Sequence, residues 1–482
     1  MNFALLGFIV YLILILVVGF ITYNINKSHS DFFIAGRKLN PWVVAFSERA
    51  SGESAWLLLG LPGAAFAAGL MEFWSALGCV SGIIFYWMFI ARPLREETEK
   101  VGAITLPTFL AARFEKGQVA IRVIATFIII FFFIFYLSAQ FNGAGKILNV
   151  TFGLDQTTGM IMGAVVIIFY TMMGGFFAVA WTDMVQGIIM IGTLVILPLV
   201  GLAELKEISQ GSIDLSEMAA ADGHPLLSFK GGKTGWAAAA MIISGLSWAL
   251  GYMGQPHLLT RFMSIDKAEN IKISRRIAIA WVIPAFAGAL IIGVVGAGLY
   301  EQGMFDDIEK VMPHMANELL PAWLAGIFVS GAIAAMMSTA DSQLLVISSS
   351  IVEDLFHRTL GRDPGDTSLL RASRIITILV GVIAFAIALT SDKLIFSMVS
   401  YAWAGLGSSF GPLILLILTW KKVSWQGVIA GLVTGFVTTV IWSELDALDA
   451  VISVRFVSWV AAILAVWITS MLTRKNNVNL EA

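Results

Sequence analysis

The residues best suited to chemistry lie together in one apolar stretch, Ala335-Met336-Met337-Ser338-Thr339-Ala340-Asp341-Ser342. At helical spacing Ala335, Ser338 and Ser342 share one face, with Thr339 and Asp341 beside it. Neutral hydroxyl and carbonyl oxygens are ligands for a hard cation. Hydroxyls also bond back to their own helix, which is the plainer reading of Ser and Thr. A carboxylate in the same run makes that reading insufficient. Glu53 is a second such acid, set in Ala50-Ser51-Gly52-Glu53-Ser54-Ala55-Trp56. Asp183, after Trp181-Thr182, is weaker, because an aspartate there serves equally as a helix cap. No HExxH, GxSxG or P-loop pattern occurs. The single cysteine, Cys79, and five scattered histidines supply neither a disulfide framework nor a metal cluster. The chain does not read as an enzyme.

The elements that hold these residues follow from composition. Of 482 residues, 58% are hydrophobic and only 13% charged, about half the charge of a soluble globule. Such a chain needs lipid as its solvent, and a net charge of -2 suggests no nucleic acid. A membrane helix needs about 20 apolar residues. Thirteen runs qualify, near 3–23, 41–69, 72–91, 121–149, 157–178, 184–205, 234–258, 275–299, 320–350, 371–390, 394–419, 426–443 and 452–472. The expected fold is an all-α integral membrane protein of about 13 transmembrane helices, with no soluble domain.

An odd number of spans places the termini on opposite sides. One set of alternate connections carries 22 Lys and Arg, among them Lys27, Arg37, Arg92, Arg95, Arg261, Arg358, Arg362, Arg474 and Lys475; the other carries only Lys206, Lys230, Lys233, Lys310 and Lys393. By the positive-inside bias the N-terminus lies outside and the C-terminus in the cytoplasm.

Two runs look broken. Small and polar residues interrupt the second at Ala50–Trp56. The seventh reads Ser244-Gly245-Leu246-Ser247-Trp248-Ala249-Leu250-Gly251-Tyr252-Met253-Gly254-Gln255-Pro256. Glycine can simply allow close helix packing. Two breaks five spans apart, however, are what an inverted five-plus-five repeat with a midplane site requires.

With these segments in hand the chain resembles the solute:sodium symporter family, and within it the proline carriers. The matching pieces are Gly36-Arg37, Trp56-Leu57-Leu58-Leu59-Gly60-Leu61-Pro62-Gly63-Ala64, Gly174 to Asp183, Gly251-Tyr252-Met253-Gly254-Gln255-Pro256-His257 and Ser400-Tyr401-Ala402-Trp403-Ala404-Gly405. The resemblance implies a LeuT-type 5+5 inverted repeat in one transporter domain, with repeats over 41–205 and 234–419, one extra helix at 3–23 and two at 426–472. It implies sodium held between the second and ninth spans by the Ala50, Glu53 and Ala335 backbones and the Ser338 and Thr339 hydroxyls. It implies a substrate pocket at Trp56, Tyr136, Trp248 and Tyr252 with Gln255 nearby, and a part in coupling for Arg37.

Where the proline carriers have an aspartate this chain has Gly52, and Glu53 stands in an apolar place. Glu48-Arg49 replaces small residues and Asp341 replaces a serine. The displaced acids have three readings. Glu53 reaches the sodium, and Asp341 with Ser342 and Asp183 completes a second sodium site; or Arg49 neutralises an acid and the cluster is structural; or one acid carries a proton. The expected activity is import of a small solute, L-proline before other amino acids, carboxylates or sugar-like solutes, coupled to one or two sodium ions. The expected place is a bacterial cytoplasmic membrane, with the lipid bilayer and the solute as partners and no obligatory protein partner. A transporter-like membrane sensor is the alternative from another class.

Overall fold

The computed structural model describes residues 3–23, 29–209, 218–361, 365–391 and 393–473. Lys27, Arg362, Arg474 and Lys475, used above for orientation, lie outside them. Within these residues the regular secondary structure is helical, apart from two isolated backbone bridges, Leu39 with Ile265 and Ala219 with Pro225. Backbone groups in hydrocarbon must bond within their own segment, and the helix does this.

The main helices are α1 (Phe3–Tyr23), α2 (Pro41–Ala55), α3 (Leu61–Ala68), α4 (Phe73–Phe89), α5 (Gln118–Phe152), α6 (Gln156–Ser209), α7 (Gly235–Leu246), α8 (Trp248–Tyr252), α9 (Pro256–Ser264), α10 (Ile271–Leu299), α11 (Val311–Leu319), α12 (Ala322–Ser349), α13 (Asp366–Thr390), α14 (Ile395–Thr419), α15 (Trp425–Ser443) and α16 (Val454–Thr473). Among the described residues ten helical stretches are long and apolar enough to cross a membrane. The runs expected at 41–69 and 72–91 fall in one of these, Pro41–Phe89, and the run at 157–178 coincides with a shorter apolar helix, Gln156–Met172.

Sequence chemistry sets the helix ends. The Asn40 side chain accepts from the Trp42 and Val43 amides at 3.0 and 3.1 Å, with Pro41 in the first turn, an N-cap followed by a residue that needs no donor. Ser424 caps α15 in the same way through Gly427 N. A straight α6 of 54 residues would run about 80 Å. Gly175, at φ 59 and ψ -176, divides it in two. Asp183 therefore stands two turns inside the second half, and the helix-cap reading of this residue is wrong.

Both expected breaks are present. In α2, Ser54 takes φ 37 and ψ -164, a conformation a non-glycine residue adopts only under constraint. Beyond it, Leu61 N–H bonds to the Trp56 carbonyl five residues back, a wide turn of the kind found at functional sites. In the seventh run α7 stops at Leu246, α8 is a single turn, and Gln255 is extended before Pro256 restarts the helix as α9. That helix runs to Ser264, beyond the expected end at 258.

The core gathers around α12, which packs on α6, α2, α5 and α1. On the other side of the breaks, α14 packs against α5, α8, α15 and α16.

Candidate functional site

The two breaks face one aromatic box. Trp56, directly after the α2 break, stacks on Trp248, directly after the α7 break, with centroids 4.9 Å apart and planes at 10°. Trp403 of α14 closes one side, 6.2 Å from Trp248 and 4.8 Å, edge-on, from Tyr252. Tyr136 reaches in from α5 at 6.3 Å from Trp403, and Phe396 covers Trp56 and Trp248 at 6.4 and 5.5 Å. Gly251 leaves room for Trp403, since a Cβ there would come 2.0 Å from the indole nitrogen. All five expected substrate residues, Trp56, Tyr136, Trp248, Tyr252 and Gln255, are fully buried. Within the box Trp56 Nε1, Trp248 Nε1 and Gln255 Oε1 have no hydrogen-bond partner. Buried polar atoms are normally satisfied, so three together are an exception that the rest of the box does not remove.

α5 holds the α2 break open. Gln140 Oε1 accepts the freed Ala55 amide at 3.2 Å, and the Tyr136 hydroxyl donates to Ser54 Oγ at 3.2 Å. Behind the break lies the oxygen cluster. Ser338 Oγ is 3.0 Å from the carbonyls of both Ala50 and Ala335. Thr339 Oγ1 is 2.9 Å from Ser51 O and 3.0 Å from Ala335 O. The structure thus brings together Ala50, Ala335, Ser338 and Thr339, all neutral oxygens on α2 and α12. Glu53 stands apart. Its carbonyl accepts the Trp56 amide, and its side chain is drawn elsewhere.

That side chain meets Arg49, one helical turn back, at 2.5 Å. Arg49 also grips Glu48 through Nε at 2.6 Å and through Nη2, which donates as well to the Tyr86 hydroxyl at 2.7 Å. Trp87 Nε1 donates to Glu48 at 2.9 Å. The Glu53 side chain is thus paired with Arg49.

Asp183, Asp341 and Ser342 do converge, and an unexpected cation sits among them. Arg261, assigned from sequence to an inner connection, is wholly buried on α9. It donates to Asp183 at 3.0 Å, to Ser51 Oγ at 2.8 Å and to Ser342 Oγ. Ser47 and Ser51 donate to the same Asp183 oxygen at 2.6 and 3.1 Å. The other Asp183 oxygen, Asp341 Oδ2 and the nearby Gln186 Oε1 have no partner.

The profile of the sodium:solute symporter family matches residues 32–435. The chain belongs to the sodium:solute symporter family. The symporter is 38% identical over 463 residues to the high-affinity proline transporter PutP of Bacillus subtilis (strain 168), covering 95% of this chain and 96% of that protein. It is 36% identical over 454 residues to the sodium/proline symporter of Escherichia coli (strain K12), covering 91% and 88%. Its fold is similar to a Na+-coupled sialic acid symporter solved in a substrate-bound outward-open state, with TM-score 0.78, 18% identity and 98% of both chains covered. It is also similar to MhsT in complex with L-phenylalanine, with TM-score 0.55, 16% identity and 89% and 98% covered. The fold is the all-α LeuT type, and the protein is a multi-pass membrane transporter rather than an enzyme.

In this symporter an ion-pair cluster lies beside the box. Lys146 pairs with Asp307 at 2.6 Å and Glu309 at 2.5 Å. The Glu309 carboxylate accepts the Ile395 and Phe396 amides at 2.9 and 2.8 Å, capping the α14 N-terminus beside the Phe396 ring that covers the tryptophans. Arg37 donates to Thr98 O, Ala103 O and Met263 O at 3.1, 2.6 and 2.6 Å. Burial, then the neighbouring Arg95, lowers its pKa to about 10, so it stays charged at neutral pH. Sequence reasoning missed Trp403, Phe396, Gln140, Ser47, Ser51 and Arg261. Trp403 and Ser51 stood in quoted runs, and the Arg261 guanidinium lay one turn beyond another; Phe396, Gln140 and Ser47 carried no signal.

Proposed function

We propose that this symporter imports L-proline with sodium by alternating access, and that the aromatic box is its substrate site. The observation that carries the reading is the set of unpartnered groups inside the box. Trp56 and Trp248 offer two N–H donors to a carboxylate, and Gln255 Oε1 offers an acceptor to a secondary ammonium. The surrounding rings suit an apolar pyrrolidine. Relatives named for proline transport across nearly the whole chain support the same substrate.

One sodium ion would bind at Ala50, Ala335, Ser338 and Thr339, with the Glu53 carbonyl at the edge of the site. A bound cation between α2 and α12 would hold Trp56 in place and so favour substrate, and by reciprocity substrate would favour sodium. A second sodium would bind at Asp183, Asp341 and Ser342. Arg261 balances one of those acids and leaves one carboxylate charge, which a sodium ion or a proton can meet. Arg37, which ties α9 to Thr98 and Ala103 of the segment after α4, would couple the site to opening on the inner face. The paired breaks in α2 and between α7 and α9 support repeats at 41–205 and 234–419. The basic bias of alternate connections supports an outer N-terminus and a cytoplasmic C-terminus, in a bacterial cytoplasmic membrane. The test is uptake of a labelled amino-acid panel into proteoliposomes, with sodium and proton gradients imposed separately. Sodium-driven uptake of another solute and none of proline overturns the substrate; uptake indifferent to sodium overturns the coupling.

A further inference from the structure

The repeat core does not complete the box alone. Arg455 opens α16, one of the helices added after the repeats, and lies with its guanidinium carbon 4.4 Å from the centroid of the Trp248 ring. Its three nitrogens are spread over three anchors. Nη2 donates to Ser244 O in the last turn of α7 at 3.2 Å, Nε to Ser247 Oγ at 3.4 Å, and Nη1 to Ser400 Oγ of α14. The preceding residue but one helps, since Ser453 N donates to Ser244 Oγ at 2.9 Å. Among the described residues no carboxylate lies within ion-pair distance of Arg455.

Each contact has a physical reason. Ser244 and Ser247 flank the place where α7 stops and α8 begins. The carbonyl end of a helix carries partial negative charge and favours a cation. A guanidinium is planar and delocalised, so it can lie over an indole and still present its N–H groups outward in its own plane. Ser400 is one turn before Trp403, whose own Nε1 donates to Trp248 O at 3.4 Å. The same arginine therefore joins the joint of the broken span, the ring directly after that joint, and the helix that supplies the next wall. Trp248 in turn stacks on Trp56 of the other broken span.

We propose that Arg455 is a positioning residue for the substrate: it fixes the plane and place of Trp248, and sets the affinity of the box for its solute from outside the repeat core. The inference rests on the aromatic box being the substrate site. A lysine at this position would keep the charge and lose both the fork and the planar contact. The sodium cluster is built on α2 and α12, which Arg455 does not touch, so its loss separates the two affinities.

The experiment is a double-mutant cycle in proteoliposomes with Arg455→Gln, Arg455→Lys and Trp248→Leu, reading proline half-saturation at saturating sodium and sodium half-activation at saturating proline. Arg455→Gln is expected to raise proline half-saturation about tenfold, or about 1.4 kcal/mol, a size in keeping with a desolvated cation–π contact. Sodium half-activation stays within about twofold, and Arg455→Lys recovers only part of the loss. In the Trp248→Leu background, Arg455→Gln adds less than about twofold, because contacting residues are not additive. Wild-type proline half-saturation in Arg455→Gln, full additivity with Trp248→Leu, or equal shifts in both titrations overturns the proposal. Should Arg455→Gln fail to express, Arg455→Lys and Ser400→Ala carry the same cycle, each with a rise of about threefold and no change in sodium response. Absent proline uptake by the wild type counts against the substrate alone, and the cycle is then run with the solute that the uptake panel identifies.

Discussion

Thr339→Ala isolates one oxygen of the proposed sodium site. Thr339 Oγ1 lies 2.9 Å from Ser51 O and 3.0 Å from Ala335 O, at the contact of α2 with α12. With no ion in place the hydroxyl proton can satisfy either carbonyl. An arriving cation needs the lone pairs of the same oxygen, so the hydroxyl turns its proton away and offers them. Removing the group loses one ion–dipole contact in a site closed to water. By comparison with hydrogen bonds to charged groups, that contact is worth about 1.5–3 kcal/mol, or roughly a 10- to 150-fold rise in half-activating sodium. The folded protein loses about 1 kcal/mol, since only a neutral hydrogen bond disappears. The assay is labelled proline uptake into proteoliposomes across a sodium titration, with proline saturating, and then a proline titration with sodium saturating. The first curve shifts by the stated factor, and the second stays within about threefold, because saturating sodium removes the linked term. Ser338→Ala behaves alike, having the same two-carbonyl geometry. Sodium curves that overlay wild type in both well-expressed variants place the ion elsewhere, and the assignment of this cluster fails.

Tyr136→Ala and Trp248→Ala each remove one wall of the box; half-saturating proline should rise by the equivalent of about 1–3 kcal/mol, the burial of one large side chain, and unchanged transport constants would return these rings to core packing. Arg49→Gln leaves Glu48 and Glu53 buried without their cation and should destabilise the protein by about 3–5 kcal/mol, read as lost expression or a lower detergent melting temperature; a stable variant refutes the structural role of the cluster. Asp341→Asn should give an expressed protein whose sodium dependence is weaker or less steep. If instead acidification drives uptake without sodium, and this variant loses that response, Asp341 carries a proton.

The membrane architecture was readable because lipid makes every spanning segment announce itself by length and apolarity. The breaks were readable for the complementary reason: Ser51-Gly52-Glu53-Ser54 and the serines and glycines of 244–254 are costly in a regular buried helix and stand out against leucine and valine. What could not be read was which groups meet across helices. Gln140 and Ser47 look like ordinary polar residues until the fold sets one against the Ala55 amide and the other against Asp183. Arg261 misled for a definite reason. The positive-inside pattern counts every arginine near a helix end as solvated, and α9 continues for two turns past the break, carrying Arg261 into the protein. Asp183 misled likewise, because the Gly175 turn lies nine residues earlier than the expected start of that span.

The two arginine clusters explain why the acids near the site differ in what they can do. Each places two carboxylates around one guanidinium, so each carries one unbalanced negative charge when both acids are ionised. A buried charge of this kind must be met by hydrogen bonds, a proton or another cation. In the first cluster every carboxylate oxygen of Glu48 and Glu53 already has a partner, from Arg49, Trp87 or, at 3.4 Å, the Tyr252 hydroxyl. No oxygen is left over to ligate an ion, and aromatic rings close the surroundings. In the second, Arg261 and two serines crowd onto a single oxygen of Asp183, while the other Asp183 oxygen and Asp341 Oδ2 remain without partners. Glu48, Arg49 and Glu53 therefore bear on the stability of the broken span. The proposed second sodium ion therefore belongs between α6 and α12 rather than at α2, because only there do carboxylate oxygens of Asp183 and Asp341 stand without partners.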